Sequence, residues 1–282
     1  MNMRFGGPVF VTEHDPEAFA LAHVQKGYKA AYYPKHLKPG QSGEINAYKE
    51  ALRKEDILIA EVGAWRNPLA LEPEAAKFGK EYFIEKLALA DELGARCCVG
   101  IVGTWAEENW YAPSEKNFKE DFFDYAVEVH RSIIDAVKPK HTKMTYELMP
   151  FGFLDSAEEY LRFLKALDRK EAGVHLDLTN MITCPRQLFG HREFLTGQMD
   201  LLGDAILSIH IKDMRLLPDP LSVMLEEVPM GKGVMDYTYL ARYMNRLPRD
   251  TTVMLEHLPD EETYDAAAAA FRKQALAAGI QL

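Results

Sequence analysis

The chain has 282 residues, of which 48% are hydrophobic and 27% are charged. This length suits one large domain or two small ones, and the hydrophobic share is enough for a substantial core. The formal net charge of -10 argues against a nucleic-acid backbone as the ligand, because phosphate binding needs clustered lysine and arginine.

Cysteine usage and hydropathy indicate the compartment. Three cysteines, two of them adjacent at Cys97 and Cys98, make no disulfide framework. We recognise neither an N-terminal signal peptide nor an apolar run of the roughly 18 residues that cross a bilayer. These features predict a cytoplasmic protein with reduced thiols and no membrane partner.

Strand-like and helix-like segments alternate along the first half of the chain. Apolar runs predict strands at Phe5–Val11, Tyr28–Tyr33, Ile57–Gly63 and Cys97–Val102, and helices are predicted from Asp15, near Glu44–Glu55, from about Glu74 to Leu93 and over Asn117–Val137. Asp15-Pro16-Glu17 is typical of a helix start, because Asp caps the first turn and Pro fits within it. Gly94 is a helix stop signal.

The second half repeats this alternation. Strands are predicted at Met144–Met149, Gly173–Leu178, Ile206–Ile211 and Thr251–Leu255, and helices from Ser156 to about Leu167, from Pro185 through Leu202, from about Tyr237 to Arg246 and over Glu261–Ala278. The segment Ser156-Ala157-Glu158-Glu159 has the pattern of a capping box. After Ile211 we predict a longer loop that is broken by prolines.

Eight strand–helix units with no linker between them predict an α/β protein with parallel strands. An open doubly wound sheet and a closed barrel both fit this alternation. The first strand is followed by no glycine-rich dinucleotide motif, and Gly231-Lys232-Gly233 follows no predicted strand. We therefore predict a single (β/α)8 TIM barrel that forms one domain over residues 1–282.

Four polar residues lie near the downstream ends of the last four predicted strands: Glu147, Asp177, His210 and Glu256. In a barrel of parallel strands these ends converge at the face that carries active sites. Three carboxylates and one imidazole could hold a divalent cation there, and buried ion pairs are the alternative. Strand alternation also places His175 and Lys212 on the inward side, with His257 facing away toward the helices.

Several short motifs carry a family resemblance. They are Tyr146-Glu147-Leu148-Met149-Pro150, His175-Leu176-Asp177, His210-Ile211-Lys212-Asp213, Gly231-Lys232-Gly233-Val234-Met235-Asp236 and Leu255-Glu256-His257. In this ordered set the chain resembles the xylose isomerase-like TIM barrels, in particular the sugar phosphate isomerase/epimerase group that includes ketose 3-epimerases. The resemblance implies that Glu147, Asp177, His210 and Glu256 bind one divalent metal ion. We expect Mn²⁺ first, while Mg²⁺, Co²⁺, Fe²⁺ or Zn²⁺ would also suit these ligands.

The resemblance also implies an activity. Glu147 and Glu256 would act as an acid/base pair in an isomerase or epimerase of a keto sugar or sugar derivative, through a metal-stabilised enediolate. A lyase, either an inosose-type dehydratase or an enzyme that cleaves keto-glycosides, could use the same enolate chemistry. An apurinic-site endonuclease would need three zinc ions, more histidine ligands and a basic groove, against nine His and an acidic balance. A non-catalytic binding barrel is a further alternative.

Other residues are candidates for contacting the substrate, each with a packing role as its alternative. They are Lys212, His175, Asn180, Arg215, Glu61, Trp65 and Trp105. Asn180 stands where the ketose 3-epimerases usually have a substrate-binding His, and Phe153 stands where they have a Glu. The arginine expected six residues after His210 is displaced by one position, to Arg215. These departures leave room for a keto-glycoside, inositol or acid-sugar substrate. We expect a small carbohydrate partner, and homo-oligomer assembly through exposed helices is compatible with the sequence.

Overall fold

The computed structural model describes residues 3–218 and 221–282. The first half of the chain forms β1 (Met3–Gly6), α1 (Pro16–Gln25), β2 (Ala30–Tyr32), α2 (Ser42–Lys54), β3 (Leu58–Gly63), α3 (Pro73–Leu93), β4 (Cys97–Ile101), a 3-10 turn (Glu115–Phe118) and α4 (Glu120–Val137). The second half forms β5 (Met144–Glu147), α5 (Ala157–Leu167), β6 (Ala172–Asp177), α6 (Pro185–Phe189), α7 (His191–Leu202), a 3-10 turn (Gly203–Ala205), β7 (Ile206–Ile211), β8 (Asp213–Leu216), β9 (Leu225–Val228), α8 (Tyr237–Met244), β10 (Thr251–Leu255) and α9 (Glu261–Ala277).

Eight of these strands close into a parallel barrel. Around the barrel the order is β1, β10, β7, β6, β5, β4, β3 and β2, so that each strand pairs with its neighbours in chain order once the β8–β9 insertion is set aside. The predicted (β/α)8 barrel is therefore confirmed. Two predicted strands, Ile206–Ile211 and Thr251–Leu255, have the observed bounds.

The first strand is shorter than predicted and begins earlier, at Met3–Gly6 instead of Phe5–Val11. Pro8 has no N–H to donate to a neighbouring strand, which disfavours pairing beyond that point. Gly6 is pressed against β2, since a Cβ on it would lie 2.0 Å from the carbonyl oxygen of Ala30. The β1–β2 seam of the barrel thus depends on a residue without a side chain.

Local sequence signals set the helix ends as predicted. The Asp15 carboxylate accepts a hydrogen bond from the Ala18 N–H at 2.8 Å, and the Ser156 hydroxyl accepts one from the Glu159 N–H at 3.4 Å. Gly94 adopts the left-handed conformation that ends α3. The predicted helix from Pro185 to Leu202 is in fact two helices, α6 and α7, which meet at Gly190.

The segment after Ile211 was predicted as a loop, and this prediction is wrong in one respect. The segment contains an antiparallel hairpin of β8 and β9. These four-residue strands carry charged residues and lack a regular apolar alternation, so no periodic signal marks them. The hairpin is attached at its base through Asp213, which is 1% exposed. One Asp213 oxygen accepts hydrogen bonds from the N–H groups of Gly231 and Gly233, both at 3.0 Å.

The second Asp213 oxygen binds the N–H groups of Met214 at 2.9 Å and Met235 at 3.1 Å. Gly233 fits this arrangement because a Cβ on it would lie 2.2 Å from that oxygen. The motifs that contain Asp213 and Gly231-Lys232-Gly233 are therefore two halves of one structural unit. This unit holds the hairpin over the C-terminal ends of the barrel strands.

The helices surround the barrel and bury one face each against the outward strand residues. One continuous apolar core joins strands and helices, while two smaller apolar clusters occupy the barrel interior: Ala30, Ala60 and Met254 in one, and Cys97, Val99 and Leu207 in the other. Among the described residues, no helix is both long and apolar enough to cross a membrane.

Candidate metal centre

The four predicted ligand residues converge at the C-terminal ends of β5, β6, β7 and β10, which are consecutive in the barrel. Glu147 ends β5, Asp177 ends β6, His210 lies next to the end of β7, and Glu256 directly follows β10. Strand pairing aligns Asp177 with His210, and it aligns His210 with Met254, which lies two positions before Glu256. One ligand atom from each of the four side chains lies within 4.8 Å of the other three.

All four side chains are buried, at 9% exposure or less. Charged residues are rarely buried to this degree unless they are paired or bind a metal. The predicted inward alternation is also observed, since His175, Ser208 and Lys212 contact the same buried polar network. The strand register therefore places the charged residues inside the barrel mouth.

Asp177 is fixed by one of its two oxygens. Oδ1 accepts hydrogen bonds from the N–H of Thr179 at 2.9 Å, the hydroxyl of Thr179 at 2.7 Å and the N–H of Asn180 at 3.0 Å. Oδ2 faces the cluster and lies 2.5 Å from Lys212 Nζ. The turn after β6 thus orients the carboxylate and leaves its second oxygen directed at the other ligands.

His210 is oriented in a similar way. Its Nε2 lies 3.0 Å from Glu61 Oε2, and its Nδ1 lies 2.8 Å from Glu256 Oε2 and 3.9 Å from Glu147 Oε1. In the described part of the chain, His210 Nδ1 and Asp177 Oδ2 are buried atoms without a hydrogen bond of acceptable geometry.

Both atoms face charged groups of the same cluster, Glu256 Oε2 at 2.8 Å from Nδ1 and Lys212 Nζ at 2.5 Å from Oδ2. Several charged side chains are thus crowded around one buried point, which is costly unless they are paired or bind an ion. Three carboxylates and one imidazole nitrogen are donors that hard or borderline divalent cations prefer. The residues present therefore fit a divalent metal ion.

The surroundings move the pKa values of the carboxyl groups in different directions. Burial and the nearby Glu256 raise the pKa of Glu147. Burial opposes ionisation of Glu256, but His210 and Lys212 hold its pKa below the usual value. Burial likewise opposes ionisation of Asp177, and Lys212 and His210 again hold its pKa low. The two glutamates thus experience unlike environments although they share one site.

Lys212 supplies positive charge to this acidic cluster. Burial disfavours its ammonium form, yet Asp177 and Glu256 raise its pKa. Its Nζ lies 2.6 Å from Glu256 Oε1 and 3.3 Å from Glu227 Oε2 on β9, in addition to the Asp177 contact. Lys212 therefore pairs with carboxylates of the cluster and of β9, while Asp213, next in the chain, accepts from backbone N–H groups instead.

Two residues at the mouth were not predicted as site residues, namely Glu227 and His257. His257 was expected to face the helices, and this is wrong. Its side chain is 59% exposed and its Nδ1 lies 3.3 Å from both Lys212 Nζ and Glu227 Oε1. The strand ends at Leu255, and His257 has a positive φ of 57°, so strand alternation does not extend to it. No signal in the sequence marks Glu227, because its hairpin was not predicted.

Besides Lys212, three of the substrate-contact candidates lie against the candidate metal centre. The Asn180 amide donates to Glu147 Oε1 at 3.0 Å and to the Leu148 carbonyl at 3.2 Å. Glu61 and His175 lie beneath the cluster, where His175 Nε2 is 3.2 Å from Glu61 Oε1 and both side chains are almost fully buried. Asn180 therefore orients a carboxylate, and Glu61 and His175 support the centre from within the barrel.

The other candidates lie elsewhere. Arg215 is half-exposed and pairs with Glu226 across the hairpin at 2.6 Å. Trp105 packs edge-on against Phe122, with ring centroids 5.0 Å apart, and belongs to the packing of the loop after β4. Trp65 is partly buried against the interior cluster of Cys97, Val99 and Leu207. The structure does not bring these three side chains into contact with the four ligands.

Phe153, which replaces a polar residue of the epimerases, is buried against other aromatic rings such as Phe123, at 5.1 Å between centroids. The loop from Phe151 to Leu154 also borders a cavity of about 20 Å³ beside Glu147. A cavity of this size holds about one water molecule.

Comparisons with known proteins agree with this architecture. The family model for the xylose isomerase-like TIM barrel matches residues 19–274. Among curated proteins, no sequence matches the chain significantly.

Similar solved structures include a D-psicose 3-epimerase from Clostridium cellulolyticum H10 (15% identity, 98% of this chain and 99% of that chain, TM-score 0.68). They also include a xylose isomerase-like TIM barrel protein from Mycobacterium smegmatis in complex with magnesium (14%, 93% and 87%, 0.63). A third is the probable 3-DHS dehydratase of Bacillus anthracis (12%, 97% and 98%, 0.68). At these identities the likeness shows the shared fold alone.

Proposed function

This chain belongs to the xylose isomerase-like TIM-barrel family, and on that premise we propose that it is a divalent-metal-dependent isomerase or epimerase of a keto sugar or sugar derivative. The observation that carries the proposal is the convergence of Glu147, Asp177, His210 and Glu256, whose ligand atoms lie within 4.8 Å of one another in a buried site. That a similar fold carries out epimerisation of D-psicose supports a carbohydrate substrate.

Glu147, Asp177, His210 and Glu256 would hold the ion. Mn²⁺ suits this donor set best, and Mg²⁺, Co²⁺, Fe²⁺ or Zn²⁺ could replace it. When bound, such a cation supplies a Lewis acid that can lower the pKa of bound water to about 7, an effect large enough to acidify a C–H bond beside a carbonyl.

Glu147 and Glu256 would transfer the proton. They project from β5 and from the end of β10, with β6 and β7 between these strands in the barrel. Each has one oxygen held by a neighbour, Oε1 of Glu147 by Asn180 at 3.0 Å and Oε1 of Glu256 by Lys212 at 2.6 Å. Glu256 Oε2 also lies 2.8 Å from His210 Nδ1, so both carboxylates have a fixed orientation within the cluster.

Two carboxylates on different sides of one carbon atom produce epimerisation, because one removes the proton and the other returns it to the opposite face. If only one of them works, on a single face, the outcome is aldose–ketose isomerisation. Positioned acid/base groups of this kind typically contribute about 10²–10⁴-fold to the rate. Removal of either glutamate should therefore reduce turnover by at least that factor.

A lyase is the second candidate. Elimination uses the same proton removal beside a carbonyl and differs only in that a leaving group departs from the neighbouring carbon. A fold neighbour described as a probable 3-DHS dehydratase supports this alternative.

Exchange in deuterated water would test the proposal and separate the two candidates. Protein loaded with Mn²⁺ is incubated with a panel of ketohexoses, inososes and 3-keto-glycosides, and the products are analysed by NMR and mass spectrometry. We expect deuterium at the carbon beside the carbonyl, with an isomeric product for an epimerase and loss of water or of the aglycone for a lyase. Absence of both exchange and product over the whole panel would refute the proposal.

Matched variants make this test specific. Glu147→Gln and Glu256→Gln should each reduce exchange strongly, because each variant loses one of the two bases and one of the four proposed metal ligands. Asp135→Asn is the control, since Asp135 is a surface carboxylate on α4 that pairs with Arg169. Exchange should continue at the wild-type rate in this control variant.

A further inference from the structure

Glu61 occupies a central position that the proposed chemistry does not use. It belongs to β3, which lies directly opposite β7 in the barrel, with three strands between them on either side. Its carboxylate is 1% exposed, and it spans the interior to reach side chains on the far wall. A buried carboxylate in this position is costly unless several donors compensate it.

Three donors surround Glu61, and they belong to β6 and β7. Ser208 Oγ lies 2.5 Å and His175 Nε2 lies 3.2 Å from Oε1. His210 Nε2 lies 3.0 Å from Oε2. The carboxylate is thus fully bonded, and one of its two oxygens is used by the imidazole of the metal centre.

The His210 ring lies between two acidic groups that both attract its hydrogen. Glu256 Oε2 is 2.8 Å from Nδ1, and Glu61 Oε2 is 3.0 Å from Nε2. An imidazole nitrogen binds a metal only through its lone pair, so a hydrogen on Nδ1 would block the atom that faces the cluster. A hydrogen on Nε2, held by Glu61, leaves Nδ1 available.

We infer that Glu61 is a positioning residue, which holds the hydrogen of His210 on Nε2 and thereby directs the Nδ1 lone pair to the metal ion. This inference rests on the proposal that the four-residue cluster binds a divalent cation. Carboxylates that accept from the distal nitrogen of a ligand histidine typically contribute about 10–100-fold to metal affinity. Glu61 would thus act through His210 and would not touch the sugar.

Two measurements test this role without an activity assay. In Zn²⁺-loaded protein, long-range ¹H–¹⁵N NMR spectra should show His210 with Nδ1 bound to the metal and Nε2 protonated. In titrations with Mn²⁺ alone, Glu61→Gln should weaken binding by about 10–100-fold, because the neutral amide is a poorer acceptor and carries donors of its own. A retained circular dichroism spectrum would show that this variant is folded.

Ser208→Ala is the matched control, since it removes one donor to Glu61 and leaves the contact of Glu61 with His210. Its effect on Mn²⁺ affinity should be smaller than that of Glu61→Gln. Should Glu61→Gln fail to fold, the wild-type spectrum decides, because a metal-bound Nε2 would overturn the inference directly.

The inference and the proposed function fail in different ways. If wild-type protein binds neither Mn²⁺ nor Zn²⁺ at this cluster, the proposed function fails and this role of Glu61 fails with it. The positioning role alone is refuted if wild-type protein binds the ion, the Mn²⁺ affinity of Glu61→Gln is within about twofold of the wild-type value, and His210 Nε2 is still protonated in the variant.

Discussion

Replacing Asp213 by Asn should loosen the unit that joins the hairpin to the segment from Gly231 to Met235. The Asp213 carboxylate accepts four backbone N–H hydrogen bonds, two on each oxygen, at 2.9 to 3.1 Å. In Asp213→Asn one oxygen becomes an NH₂ group, which cannot accept, so at least two of these N–H groups lose their partner. Hydrogen bonds to charged groups contribute about 1.5–3 kcal/mol each.

The loss of two such bonds would lower the free energy of unfolding by at most about 3–6 kcal/mol. Relief of the buried charge offsets part of this decrease. We therefore expect a destabilisation of about 3 kcal/mol, concentrated in this unit. Urea unfolding followed by circular dichroism measures the total change. Hydrogen exchange of the amides of Gly231, Gly233 and Met235 measures the local one.

Asp135→Asn is a suitable control, because it makes the same chemical change at an exposed site and should leave the urea midpoint unchanged. A wild-type midpoint in Asp213→Asn, together with wild-type exchange rates of these amides, would show that Asp213 does not hold the unit together. Loss of the unit should also reduce activity, because β9 carries Glu227 to within 3.3 Å of Lys212 Nζ.

Three further predictions concern the ion, one of its ligands and a buried histidine. Removal of bound metal with EDTA should lower the thermal midpoint. Mn²⁺ at 100 times its dissociation constant should then raise the free energy of unfolding by about 2.7 kcal/mol. An unchanged midpoint would argue against a bound ion. Glu256→Gln should reduce Mn²⁺ affinity by more than the roughly 10–100-fold expected for a residue that only hydrogen-bonds to a ligand, such as Glu61. Unchanged metal content would exclude Glu256 as a ligand. Burial lowers the pKa of His130 from 6.5 to about 4, so the unfolded chain binds the proton more readily than the folded protein. The contribution of neutral His130 to the free energy of unfolding is fully present above about pH 6.5. About 3 kcal/mol of this free energy is lost as the pH falls toward 4. His130→Phe should flatten this part of the stability curve, and an unaltered slope between pH 4 and 6.5 would contradict the assignment.

The barrel was predictable because its signals are local and repeat. Each strand is a short apolar run, and caps such as Asp15 and Ser156 act within one turn of the helix that they start. Hydrogen bonds of this range depend on the order of residues alone. The number of strand–helix units then favoured closure over an open sheet, and the barrel order confirms it.

The four ligand candidates were predictable for a related reason. Parallel strands of a barrel end at the same face, so residues at corresponding strand ends converge even when they are far apart in sequence. Glu147 and Glu256 are more than one hundred residues apart, yet their ligand atoms lie within 4.8 Å. Period-two alternation predicted that His175 and Lys212 point inward beside them.

Where this periodicity ends, contacts between distant segments place the side chains. The positive φ of His257 turned it to the mouth of the barrel. The hairpin of β8 and β9 is held by Asp213 through backbone groups some twenty residues away, and it brings Glu227 to Lys212. Glu61 acquired its partners from strands on the opposite wall. Residue order alone specifies the strands, the caps and the side chains that meet at the strand ends, because these follow from repeating backbone geometry. Hydrogen bonds between distant segments determined how those side chains are oriented, since such contacts exist only once the chain is folded.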